Sequence, residues 1–148
     1  MSQLVIRELT EKEEMLAHLE VIQYLYPNLS YEAYEQMLTD MLPNNYSQIA
    51  AFIGEQCVGI SGCWEGTKLW CGKYIELDNV IVHPDYRSLG VGKLLADYLQ
   101  QKAEASGCNI LVLDAYTNNF PAHRFYYNQG YSPKGFHFVK ILNKDGLT

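Results

Sequence analysis

The run Arg87-Ser88-Leu89-Gly90-Val91-Gly92-Lys93 combines two cationic side chains with two glycines, a composition suited to holding an anion. It follows the β-branched stretch Val80-Ile81-Val82 and the Pro84 turn and leads into Leu94-Leu95-Ala96-Asp97-Tyr98-Leu99, so it reads as a loop between a strand and a helix. The first N–H groups of a helix have no intrahelical partners and sit at the positive end of its dipole, which makes that end a phosphate site. Gly90 and Gly92 remove Cβ atoms that would keep a diphosphate away from those amides, while Arg87 and Lys93 add charge beside them. Two common phosphate-binding patterns fail here. A nucleoside triphosphate P-loop ending at Gly92-Lys93 needs Gly at Arg87 and Ser or Thr at Leu94, and a dinucleotide fingerprint starting at Gly90 needs a small residue at Leu95.

A second group of residues could move protons. Glu76 and Asp78 stand two apart in the stretch before the loop, so on a strand they share a face. Downstream lies the run Asn119-Phe120-Pro121-Ala122-His123-Arg124-Phe125-Tyr126-Tyr127-Asn128-Gln129-Gly130-Tyr131, rich in tyrosine. His83, in the turn, and His123, early on a helix, read as structural or surface residues.

The Arg87-x-x-Gly90-x-Gly92 pattern, followed by Asn119, Ala122, Phe125-Tyr126 and Gly130-Tyr131 at the usual separation, resembles the GNAT superfamily of N-acetyltransferases. The resemblance spans the whole chain and implies an α/β GNAT fold. Its mixed, mostly antiparallel sheet would have six or seven strands, splayed between the fourth and fifth, flanked by about four helices. It implies acetyl-coenzyme A as acyl donor. The peptide groups of Val80, Ile81 and Val82 would lie along its pantetheine arm, with an N–H of this stretch meeting the oxyanion. Amides of Ser88, Leu89, Gly90, Val91, Gly92 and Lys93, with Arg87, would hold its diphosphate, and Asn119 would contact the arm. Tyr126 occupies the position of the family's acid, and Glu76 or Asp78 that of a base acting commonly through water, with the longer Glu76 favoured. One departure is Ser88, where the family often has Gly; another is Tyr131 in place of a frequent Phe.

These groups need a framework, and the 148 residues are enough for one domain with a core, residues 143–148 forming a loose tail. Thr10 and Glu13 look like a capping box for a helix reaching about Leu25, with Met15, Leu16, Leu19 and Ile22 on its apolar face. A second helix runs from Ser30 to about Met41, stopped by Pro43-Asn44-Asn45. Ser47–Ile53, Cys57–Glu65 and Lys73–Val82 form an antiparallel meander, the first two joined at Gly54-Glu55-Gln56. The third helix buries Val91, Leu94, Leu95, Tyr98, Leu99 and Ala103 and closes at Ser106-Gly107; Asn109–Ala115 returns parallel to the strand before the loop. A fourth helix begins near Ala122 and ends at Gly130, and Phe136–Leu142 reads as a last strand, either in the core or at a homodimer edge.

A net charge of −6 argues against a nucleic-acid partner and for a cationic one. The chain shows no signal sequence and no apolar segment long enough to cross a bilayer, so the expectation is a cytoplasmic protein without a membrane partner. Cys57, Cys63, Cys71 and Cys108 lack metal or redox spacing, and no metal is expected. Tyr24, Tyr26, Tyr31, Tyr34 and Tyr46 cluster along the first two helices, some as packing and some as lining for an amine pocket, with Trp64 and Trp70 as edge packing or substrate contacts. The function expected is direct acetyl transfer to the primary amine of a small cationic metabolite, polyamine-like or aminoglycoside-like. Alternatives are a lysine or N-terminal protein acetyltransferase and a non-catalytic acyl-coenzyme A sensor.

Overall fold

The computed structural model describes residues 3–148. The chain forms two compact units, divided between Leu113 and Asp114. The first holds one five-stranded sheet in sequential order: β1 (Leu4–Leu9), β2 (Tyr46–Ile53), β3 (Gln56–Lys68), β4 (Gly72–Val82) and β5 (Ile110–Leu113). The first four run antiparallel to their neighbours, and β5 lies parallel to β4. Helix α4 (Val91–Ala105) makes the crossover that a parallel pair requires.

Before β2 come α1 (Lys12–Leu16), α2 (Leu19–Ile22) and α3 (Tyr31–Met41). The helix expected to reach Leu25 is therefore two short pieces, and its cap is Glu11, whose N–H donates to Glu14 Oε1 at 3.3 Å, rather than the Thr10–Glu13 pair. At α3 the expectation holds: Ser30 Oγ accepts from the Ala33 N–H at 3.1 Å, and Asn45 leaves the helical end at φ 66°. Met15, Leu16, Val21, Ile22, Leu29, Tyr34 and Leu38 pack against Tyr46, Ala50, Phe52, Ile60 and Ile81 on one face of the sheet. On the other face α4 buries Val91, Leu95, Leu99 and Ala103, whose spacing is the helical period. Leu94 and Tyr98 of the expected stripe are only half-buried.

Strand β4 carries the feature that shapes both faces. Its register with β3 passes from Gly62↔Asp78 to Ile60↔Ile81, so Asn79 and Val80 together oppose Ser61 alone, and Asn79 has φ 51°. This is a β-bulge. Without it, the alternation that puts Glu76 and Asp78 toward the α1–α3 face would turn Ile81 away from that face; with it, Ile81 joins the α1–α3 core. Gly62 makes the bulge possible, because a Cβ there would lie 2.8 Å from Asp78 O, 2.9 Å from Asn79 Oδ1 and 2.9 Å from the Tyr46 hydroxyl.

The second unit, from Asp114 on, holds α5 (Phe120–Asn128), capped by Asn119, and a short 3₁₀ turn at Lys144–Gly146. The strand expected over Phe136–Leu142 is not formed, so the sheet has five strands instead of six or seven, and β5 is shorter than the expected Asn109–Ala115. Aromatic and β-branched residues fit a pleated surface, but a strand also needs a ladder partner, and this stretch pairs with none among the described residues. Phe136 and Phe138 are 85% and 90% exposed, so the run is not a core strand.

Replacing Gly62 by Ala should cost about 2 kcal/mol, since the atoms it meets are backbone or hydrogen-bonded groups that cannot step aside. Urea unfolding of the variant tests this, and an unchanged midpoint would show that the bulge has room to move.

Candidate active site

The Arg87–Lys93 stretch joins a strand to a helix, as the sequence suggests. His83 leads into a 3₁₀ turn, Pro84–Tyr86, with its Nδ1 accepting from the Asp85 N–H at 3.1 Å. With Nδ1 an acceptor, the ring proton sits on Nε2 and donates to the Tyr24 hydroxyl at 3.2 Å, so His83 is a structural residue. Ser88 (φ 66°) and Gly90 (φ 82°) both take left-handed backbone, and Gly90 is the N-cap of α4 with no side chain capping the helix. The leading amides of α4 are thus left for another acceptor. A Cβ on Gly90 would meet no protein atom within 4 Å, so within the fold this glycine supplies conformation rather than clearance. Ser88 thus holds a conformation that glycine takes without strain. Arg87 is exposed, while Lys93 pairs with Asp97 at 2.6 Å, which offsets part of the charge expected from it.

The loop sits beside the end of β4. Gly59 pairs with Val82, and its missing Cβ would lie 2.7 Å from Val91 Cγ1 at the start of α4. Here β4 loses one neighbour: its parallel register with β5 runs from Tyr74↔Ile110 to Leu77↔Leu113 and stops, while pairing with β3 continues to Val82. Past Leu77, the side of β4 that faced β5 has no ladder. The ladder thus ends before Val80, Ile81 and Val82, where the resemblance implies a splay between the fourth and fifth strands. An uncapped helix start next to an unladdered strand fits a ligand with an anionic end and an amide-bearing arm.

Glu76 and Asp78 lie opposite Trp64 and Gly62 and share one face as expected. Their circumstances differ. Asp78 Oδ1 accepts from the Asn79 N–H at 2.9 Å and Oδ2 from Trp64 Nε1 at 3.0 Å, so both oxygens are occupied in holding the bulge. Glu76 is half-buried on the same face. Of the tyrosines, Tyr34 and Tyr46 are buried and Tyr26 half-buried, whereas Tyr24 and Tyr31 are exposed. Trp64 packs on Tyr46 with centroids 4.7 Å apart, and Trp70 is 70% exposed.

In the second unit, Asn119 Oδ1 accepts from the Ala122 N–H at 3.3 Å, so part of this side chain is a helix cap. His123 Nε2 donates to Tyr116 O at 2.8 Å and is likewise structural. Tyr126 packs edge-on to Phe125 and Tyr131, at 5.1 and 5.5 Å. Burial raises the Tyr126 pKa, and burial together with the neighbouring Tyr126 lifts Tyr131 to about 12. Tyr126 therefore stays protonated through neutral pH. The Cys57 and Cys63 thiols are pushed up by burial to about 11, the opposite of an activated nucleophile. No cluster of metal-ligating side chains occurs among the described residues, and no helix among them is long and apolar enough to cross a membrane.

Residues 12–131 match the Acetyltransferase (GNAT) family. The chain belongs to that family. It is 25% identical over 137 residues to the uncharacterized N-acetyltransferase YhdJ of Bacillus subtilis, covering 91% of this chain and 96% of that protein. It is 26% identical over 140 residues to the aminoalkylphosphonate N-acetyltransferase of Salmonella typhimurium, covering 93% and 90%. In fold it is similar to the aminoglycoside N-acetyltransferase AAC(6')-Iy crystallised with CoA, at a TM-score of 0.81, 18% identity and 97% coverage of both chains. This GNAT chain is thus an N-acetyltransferase, and its acyl donor is acetyl-coenzyme A, the donor of the family.

Two consequences can be measured. Ser88→Gly removes a left-handed strain of about 1–2 kcal/mol against a smaller entropic loss, and should raise stability by up to about 1 kcal/mol, while Gly90→Ala should lower it by about 1 kcal/mol. Equal melting temperatures for the two variants would refute this account of the loop. The second concerns alkaline pH. The buried phenols and thiols have folded pKa values above their ordinary 10.0 and 9.0, so their contribution is full below pH 9 and is lost as pH rises toward about 12. Denaturant midpoints should hold steady from neutrality to about pH 8.5 and then fall; a midpoint that rises above pH 9 would contradict the sign.

Proposed function

We propose that the chain transfers an acetyl group from acetyl-coenzyme A directly to the primary amine of a small cationic metabolite, polyamine-like or aminoglycoside-like, with both units serving one acyl-transfer domain. The observation that carries this reading is the unladdered end of β4 beside the uncapped start of α4, with Glu76 on the opposite, acidic side of the same strand. The helical segment from Thr10 to Asn45 holds seven carboxylates and one lysine, a net charge equal to that of the whole chain. Elements of this segment pack on the sheet face that Glu76 and Asp78 share, and its seven carboxylates are all exposed, which supports attraction of an ammonium acceptor to that segment. The names of two relatives support a small amine-bearing acceptor: one is an aminoalkylphosphonate N-acetyltransferase, whose acceptor also carries an anionic phosphonate, and AAC(6')-Iy is an aminoglycoside N-acetyltransferase.

In this reading the amides of Ser88–Lys93 bind the diphosphate with Arg87, and peptide groups of Val80–Val82 bind the pantetheine arm, with Asn119 steadying it. Bound acetyl-coenzyme A supplies a thioester, a carbonyl already activated toward amines. A backbone N–H in Val80–Val82 donates to the oxygen on which negative charge develops. Glu76 takes the ammonium proton directly or through water, and Asp78, with both oxygens engaged, serves as its structural neighbour. Tyr126, kept neutral by burial, gives its proton to the departing thiolate.

Thiol release from acetyl-coenzyme A is the assay, run against polyamines, aminoglycosides, aminoalkylphosphonates and lysine peptides. One small-amine class should be acetylated; Tyr126→Phe should then lose about 100-fold in kcat, and Glu76→Gln about tenfold, with acetyl-coenzyme A affinity nearly unchanged. Tight binding of acetyl-coenzyme A with no acetylation of any amine would replace the enzyme by a sensor, and preference for the lysine peptides would make it a protein acetyltransferase.

A further inference from the structure

Beneath the β4 bulge runs a line of hydrogen bonds that the acyl-transfer roles above leave unused. Gln48, fully buried on β2, donates from Nε2 to the Tyr34 hydroxyl of α3 at 2.7 Å and to the Tyr46 hydroxyl at 3.0 Å. The Tyr46 hydroxyl donates onward to Asn79 Oδ1 at 3.2 Å, and Asn79 Nδ2 donates to the hydroxyl of Tyr26, just after α2, at 3.0 Å. One branch thus runs from Gln48 to α3, and the other runs through Tyr46 to the bulge and on to Tyr26. Gln48 Oε1 is buried with no partner among the described residues, so the line is kept despite a desolvation cost that an apolar side chain would not carry.

Asn79 itself is held at its N–H and at both side-chain polar atoms. The Asn79 N–H goes to Asp78, its side-chain oxygen accepts from Tyr46, and its side-chain nitrogen donates to Tyr26. Trp64 closes the group by donating to Asp78 and packing on the Tyr46 ring. Left-handed φ alone could be had from glycine; what asparagine adds is attachment to two other elements.

We propose that Tyr46, together with Gln48 and Tyr26, is a positioning latch: it fixes the left-handed Asn79 and so sets the direction in which the N–H groups of Val80–Val82 point. This rests on the reading in which one of those amides receives the developing oxyanion. A backbone donor is useful only if it is aimed before the reaction, and β4 has no β5 ladder here to aim it. The latch supplies from the side what the missing strand cannot. Because Tyr26 and Tyr34 belong to the acidic helical segment, it also joins the wall facing the amine to the strand facing the thioester.

The test uses full-length Tyr46→Phe, Asn79→Gly and the double variant. Tyr46→Phe keeps the ring on Trp64 and removes only the hydroxyl; Asn79→Gly keeps the φ and removes only the attachments. Calorimetry with CoA should give affinities within about twofold of the parent, while kcat for the amine found in the panel falls about tenfold or more with its KM little changed. Amide exchange at Asn79–Val82 in the CoA complex should quicken in both, a readout that needs no acceptor. The double variant should be no worse than the weaker single one, because both cut the same line. If Tyr46→Phe does not fold, Asn79→Gly decides alone. Parental kcat and parental exchange in the variants would overturn the latch; a parent protein that binds no CoA would instead overturn the acyl-transfer reading itself.

Discussion

The parallel ladder between β4 and β5 ends at Leu77↔Leu113 although β4 continues to Val82, and the organisation of the site follows from that one termination. A strand inside a sheet has its amides and carbonyls spent on both neighbours. By releasing one neighbour for its last residues, β4 keeps its place through β3 and offers peptide groups on the other side. The same stretch is where α4 begins, drawn close by Val91 over Gly59. Two kinds of unspent backbone, strand amides and helix-start amides, therefore lie together, which is the combination a long ligand with an anionic end requires.

Freeing a strand edge creates a second problem, because a strand with one neighbour has little to hold its twist. The bulge at Asn79 is where this protein meets that problem. It lets Ile81 return to the α1–α3 core while Glu76 and Asp78 stay on that same face, so apolar anchoring and polar chemistry are not in competition for alternate positions. Asp78 illustrates the division of labour. A carboxylate that accepts from both a backbone N–H and an indole N–H is committed to geometry, which leaves the proton-accepting role in this reading to Glu76.

Most of the framework was legible in the sequence because it rests on local rules. Helix α3 has its Ser30 cap, α4 its apolar stripe and Ser106-Gly107 stop, and the β2–β3 hairpin its Gly54 turn; the loop at Arg87–Lys93 follows from glycine spacing alone. The misses are non-local. The bulge falls at Asn79, at the start of the β-branched run Val80–Val82, and becomes visible only from register with β3. Asp78 and Glu76 share a face by spacing, and the bond from Trp64, on another strand, to Asp78 carries no mark in the sequence. Phe136–Leu142 has the composition of a strand without the partner that would make it one. Which tyrosines matter was likewise unreadable, since Tyr26, Tyr34 and Tyr46 meet through Gln48 and Asn79, residues with no periodic signature.

Charge divides the first unit along the same line as structure. On the α4 face, Arg87 and the helix-start amides make the approach to the end of β4 favourable to an anion; on the other face, the carboxylates of Thr10–Asn45 make it favourable to a cation. In the proposed reading, a coenzyme and an amine of opposite charge would approach one strand from opposite sides. In the proposed reaction they can meet only where β4 has no neighbour, so the pattern of charge selects the order of the sheet's two faces before any specific contact is made. That is also why the direction of the Val80–Val82 amides matters more than their number: the two reactants arrive by separate routes, and the strand between them is the part of the first unit that both would touch.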